Sequence, residues 1–177
     1  MTREPGGTPF GQRLRSILLD PESGAIDPAA ELLLYMADRA QHINSLIKPC
    51  LADGKVVLCD RYFDATVVYQ GFARGLDTGF ICDLHRLILD DLKPDITFLL
   101  DLSPKIGLAR AWKQLDDGTR SGTESRFEEE TISFHEKVRA GYLELARSEP
   151  KRFRVVDGSK NEKQVQADIR DALAEYF

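Results

Sequence analysis

Three short apolar runs, Lys55-Val-Val-Leu-Cys59, Ile96-Thr-Phe-Leu-Leu-Asp101 and Phe153-Arg-Val-Val156, are separated by longer segments of helical period. Their β-branched content marks each as a strand buried on both faces, which is the habit of a parallel sheet. Parallel strands need crossovers, and the intervening segments supply them. Thr8 caps a helix begun by Pro9 that carries Leu14, Ile17 and Leu18 on one face. Asp27-Pro28 opens a second helix through Leu32, Leu33, Met36, Ala40, Ile43 and Ile47, expected to stop at Pro49. Further helices are expected over Phe80–Ile88, Ile106–Leu115, about Phe127–Arg147 and about Glu162–Tyr176. This order predicts a single α/β domain over residues 1–177, a three-layer, doubly wound parallel sheet with right-handed crossovers. Ligands of such sheets bind beyond the carboxyl ends of the strands, so the residues just after each strand carry the functional information.

Lys and Arg number 24 against 29 Asp and Glu, a net charge of -5. That balance argues against a nucleic-acid partner or an anionic membrane surface, since both demand a basic excess. No apolar run approaches the roughly 18 residues of a bilayer crossing, and Met1 is followed by polar Thr2, Arg3 and Glu4 rather than a signal peptide. Cys50, Cys59 and Cys82 form no CxxC pair, and His42, His85 and His135 lie far apart, so a Cys/His metal site is not expected. Unpaired thiols fit a cytoplasmic protein.

The strand ends are informative. Asp60-Arg61-Tyr62 places an acid and a guanidinium directly after the first apolar run. The arginine can fork onto phosphate oxygens, and the aspartate can hold magnesium or orient an attacking oxygen; the same tripeptide also suits an ion pair at a loop entrance. Tyr35 and Arg39, four apart, share a helix face, where an aromatic plate beside a cation can stack a base and hold a phosphate, or simply edge the core. Thr66, Tyr69 and Gln70 follow within two turns of the Asp-Arg pair, and a carboxamide such as that of Gln70 can donate and accept along a base edge. Pro5-Gly6-Gly7 is a turn, but Gln12-Arg13 stands where a Walker A loop requires Lys-[Ser/Thr], and no other segment satisfies that motif.

In their order and spacing, Thr2-Arg-Glu-Pro-Gly-Gly-Thr8, Glu31-Leu-Leu-Leu-Tyr-Met-Ala-Asp-Arg39, Asp60-Arg-Tyr-Phe-Asp-Ala-Thr66, Tyr69-Gln-Gly71, Arg74-Gly-Leu76, Lys93 to Leu102, Arg126-Phe-Glu128 and Tyr142 to Ala146 resemble the bacterial thymidylate kinases, which are P-loop nucleoside monophosphate kinases. The likeness covers nearly all of the chain. It implies transfer of the ATP γ-phosphoryl to dTMP, with magnesium, in a cytoplasmic homodimer. By the same resemblance Tyr35 stacks on thymine, Gln70 reads its edge beside Thr66 and Tyr69, and Arg39 belongs to the base site. Arg15 and Arg61 match positions that hold the acceptor phosphate, Asp60 the acid near magnesium, and Glu4 an acidic residue near sugar and metal. Residues 116–126 stand where the family has its lid, with Arg120 and Arg126 as candidates for closing onto ATP.

The family begins with a strand, a Walker A loop and a helix, about 30 residues that these 177 do not contain. The expectation is therefore a sheet short of its central strand, flanking strands that close up or borrow a strand, and impaired kinase activity in this chain alone. Two alternatives stand beside it: a non-catalytic protein that keeps only the dTMP pocket, and a related pyrimidine nucleotide kinase.

Overall fold

The computed structural model describes residues 1–119, 122–174 and 176. Two of the expected helix starts are made by side-chain caps that satisfy orphan first-turn N–H groups. Thr8 Oγ1 accepts from Gly11 N at the head of α1 (Pro9–Leu19), and Asp27 from Ala29 N and Ala30 N at the head of α2 (Pro28–His42). α2 does not stop at Pro49. It passes through a π turn, Ile43–Ile47, into α3 (Lys48–Ala52), so that Pro49 stands just after the widened turn.

β1 (Thr2–Arg3) pairs in parallel with β2 (Cys59–Asp60), aligning Thr2 with Cys59 and Arg3 with Asp60. After β2 come α4 (Phe63–Thr66), a π segment Val67–Ala73, and α5 (Thr78–Leu89), capped by Asp77. β3 (Thr97–Asp101) leads into α6 (Pro104–Asp116), and a 3-10 turn Gly122–Glu124 precedes α7 (Ile132–Ser148). β4 (Phe153–Asp157) then pairs in parallel with β3 from Thr97–Phe153 to Asp101–Asp157, and α8 (Glu162–Leu173) closes the chain behind an Asn161/Gln164 capping box. The helix expected from Phe127 begins only at Ile132, because Arg126 N bonds Leu19 O and residues 126–130 form turns before Thr131 caps α7.

The single doubly wound sheet is corrected to two. Among the described residues β1-β2 and β3-β4 are separate two-stranded parallel ladders, and β2 and β3 neither pair nor close up. The runs at 96–101 and 153–156 form strands, whereas of the run 55–59 only Cys59 enters β2, and the cover is not the expected one. Val56, Leu58, Leu100 and Val155 are 76%, 64%, 47% and 53% exposed, where a parallel sheet ordinarily buries such side chains. Burial lies instead among the helices. One cluster joins Leu32, Met36 and Ile43 to Phe63, Val67 and Ile81, and a second joins Leu18, Leu19 and Val68 to Phe127, Phe134 and Val138. α7 packs against the Val67–Ala73 segment and against β3 and β4. Arg152, before β4, forks onto both oxygens of Asp64 on α4 at 2.7 Å, tying the two ladders' halves together. No helix among the described residues is long and apolar enough to cross a membrane.

Candidate active site

The first ladder delivers two chain segments side by side at its carboxyl end. Glu4 follows β1, its N–H bonded to Asp60 O at 2.9 Å, and Arg61 follows β2. Glu4 is almost wholly buried. Its Oε2 accepts from Arg39 Nε at 2.7 Å and its Oε1 lies 2.8 Å from His42 Nδ1, while His42 Nε2 lies 2.7 Å from Thr2 Oγ1. Arg39 Nη2 donates to Thr66 Oγ1 at 2.9 Å, and its guanidinium sits 5.4 Å from the centre of the Tyr62 ring. Burying such a pair costs desolvation that its attraction barely repays, so the network is better read as orienting the loop and Arg39 than as stabilising the fold. The turn between them fits closely. Gly6 holds a left-handed φ of 105°, and a side chain on Gly7 would collide with His42 Nε2.

Seven of the residues singled out from the sequence line one cavity: Glu4, Tyr35, Arg39, Arg61, Thr66, Tyr69 and Gln70. Arg61 adopts φ 59°, a left-handed backbone that non-glycine residues rarely take, and its guanidinium lies 5.2 Å from the centre of the Tyr69 ring. No carboxylate among the described residues pairs with it. Burial pushes the Tyr35 phenol above its ordinary value, with Arg61 opposing, so Tyr35 stays a neutral plate. Asp60 is exposed at the strand end, and the described residues contain no cluster of three or more Asp, Glu, His or Cys able to hold a metal.

The remaining candidates are held elsewhere. Arg15, on α1, forks onto Glu124 with Nε–Oε1 and Nη2–Oε2 both at 2.7 Å, and donates to Pro5 O at 3.1 Å. Arg126 donates to Glu31 Oε2 at 2.6 Å and to Leu18 O. Arg120 lies outside the described residues. The sequence reading missed Glu31, which accepts from Gln70 Nε2 at 2.7 Å and from Arg74, and it missed His42 and Asp38. The signal was available: Glu31, Tyr35 and Arg39 are spaced i, i+4, i+8 along α2, with His42 one turn on. Asp38 Oδ1 accepts from Gly6 N at 3.2 Å, its Oδ2 has no partner among the described residues, and burial pushes its carboxyl above the ordinary range. A second cleft opens at the carboxyl ends of β3 and β4, lined by Leu100, Arg110, Gly158, Lys160 and Val165, where Arg110 donates to Gly158 O at 2.7 Å.

The profile of the family described as thymidylate kinase matches residues 1–169. The chain belongs to the thymidylate kinase family. It is 55% identical over 157 residues to a protein named thymidylate kinase from Desulfosudis oleivorans, covering 89% of this chain and 73% of that one. It is 50% identical over 173 residues to another from Geotalea uraniireducens, covering 98% and 81%. Its structure is similar to the crystal structure of thymidylate kinase from Ehrlichia chaffeensis, with TM-score 0.74 and 30% identity, covering 98% of this chain and 78% of that one. Membership of the thymidylate kinase family supports a kinase of the phosphotransferase class, and the parallel α/β ladders agree with that neighbour's fold.

Proposed function

We propose that the chain transfers the γ-phosphoryl group of ATP to dTMP, giving dTDP and ADP. The observation that carries this reading is Arg61, an arginine with no acidic partner among the described residues, in the same cavity as the Tyr35 plate and the Gln70 carboxamide, in a chain of this family. Phosphoryl transfer asks the protein for positioning and for cations at the transferring and accepting groups. Arg61 supplies a cation to the acceptor phosphate, Tyr35 stacks the base, and Gln70, with Thr66 and Arg39, meets its edge. Arg15 and Arg126 reach phosphate only after leaving Glu124 and Glu31.

Magnesium fits this arrangement through Asp60, since that ion ordinarily takes one or two carboxylates and completes its shell with phosphate oxygens and water. When bound it neutralises phosphate charge. The cleft beyond β3 and β4 is the place for the donor base, because ligands of parallel strands gather at their carboxyl ends. No Walker A motif occurs in the 177 residues, and we infer weak turnover by these residues alone. Outward Leu33, Phe80, Leu87 and Ile88 on α2 and α5, 60%, 56%, 80% and 51% exposed, support a homodimer, and three free cysteines support a cytoplasmic setting.

The test is ADP release with ATP and dTMP, measured on this chain and on a version extended upstream by any encoded Walker A segment, with dTMP binding measured in parallel. Binding by both and fast turnover by the extended form are expected. An extended form that leaves dTMP untouched sinks the reading.

A further inference from the structure

Glu31 is 0% exposed near the start of α2, and three side chains donate to it. Gln70 Nε2 reaches Oε1 at 2.7 Å, Arg126 Nη2 reaches Oε2 at 2.6 Å, and Arg74 lies 3.4 Å from each oxygen. A carboxylate only accepts, so Gln70 can meet it only through its NH2 group. Turned over, the amide would set oxygen against oxygen in a buried site and strand its own donor. With Nε2 committed, Gln70 Oε1 has no partner among the described residues, and Gln70 lines the cavity that holds Tyr35 and Arg61.

We propose that Glu31 is a positioning residue for base selectivity: by pinning the Gln70 amide it leaves a carbonyl acceptor for the ligand, which favours the N3–H of a thymine-type imide over the N3 lone pair of cytosine. This rests on the dTMP reading above. A cytosine edge sets its own acceptor against Oε1, and the amide cannot turn to answer it while Glu31 holds the other end. Arg74 and Arg126 complete the device, since they give the buried carboxylate partners that Gln70 alone could not.

The experiment is calorimetric titration of the full chain with dTMP and dCMP, which needs no turnover. The wild type is expected to prefer dTMP. In Glu31→Gln the new amide can donate or accept, Gln70 is free to turn, and the preference should fall by about tenfold; Gln70→Met should lose a similar factor, as expected when a buried polar match is removed. The double variant should lose no more than either single one, because the two act as a unit. Equal weakening of both ligands in Glu31→Gln, or a further fall in the double variant, overturns the proposal. A readout that needs no Glu31 variant is the Gln70 Nε2 protons of the wild type, assigned by their absence in Gln70→Met. Slow exchange with solvent is expected, and fast exchange overturns the proposal. A wild type that binds neither nucleotide overturns the dTMP reading and this one with it; dTMP binding with an unmoved preference in Glu31→Gln and Gln70→Met overturns this one alone.

Discussion

Arg15 and Glu124 meet through two parallel hydrogen bonds of 2.7 Å, so a guanidinium suited to an acceptor phosphate is already holding a carboxylate. The two groups come from the first helix and from the 3-10 turn Gly122–Glu124 within residues 116–126, with side-chain exposures of 15% and 31%. A bidentate carboxylate has the same two-oxygen face as a phosphate.

In the proposed reaction the pair competes with substrate. Glu124→Gln should tighten dTMP binding about threefold to tenfold, from release of an interaction of about 1 kcal/mol. Calorimetry checks this, and weaker binding in the variant means that Glu124 supports the site rather than blocking it.

Arg61 touches phosphate in the proposed reaction but pairs with no carboxylate among the described residues. Arg61→Ala should lower turnover of an active form by about 10³ or more while leaving the melting midpoint almost unchanged. Steady-state rates and a thermal melt measure the two effects separately. A large drop in melting temperature would assign Arg61 to the fold.

Glu4 and Arg39 behave oppositely. Both are nearly solvent-free, 2% and 1% exposed at the side chain, so Glu4→Gln strands a buried guanidinium. A loss of about 3 kcal/mol is expected in urea unfolding, the usual cost of breaking one side of such a pair. A loss below about 1 kcal/mol would mean that water reaches Arg39.

His85 supplies a pH dependence. It stacks on Phe63 at 3.9 Å, its Nε2 lies 3.2 Å from Leu92 O, and burial pushes its pKa below the ordinary 6.5, with Arg39 adding to the effect. The folded state thus resists a proton that the unfolded state accepts. Stability is full above the unfolded value and falls as pH drops through 6.5 toward the lowered folded value. Melting curves across that range should show the decline, and His85→Gln should flatten it; an unchanged slope would place the titration elsewhere.

Much of the site was legible before the fold. Asp60-Arg61 after an apolar run, and Tyr35 and Arg39 at helical spacing, mark strand ends and a shared face by local rules alone. Glu31, His42 and Asp38 were not read as functional, because an acid or histidine on an amphipathic helix looks solvated until its long-range partners are known. Gln70 is 39 residues from Glu31 and His42 is 38 from Glu4, separations no local pattern encodes. β3 and β4 were recognised by composition, but β1, two polar residues long, was not, and the pairing into two ladders depends on neighbours that composition does not name. The π turn that carries the chain past Pro49 was hidden for a related reason, since proline is read as a stop unless the preceding turn widens.

The fork of Arg152 onto Asp64 has a mechanical consequence. Each ladder holds only two strands, and this pair bridges α4 to the start of β4, so it acts as a clasp between units that can open at different denaturant strengths. Unfastening it should let the carboxy-terminal strands exchange their amide protons while the cavity beside β1 and β2 stays shut.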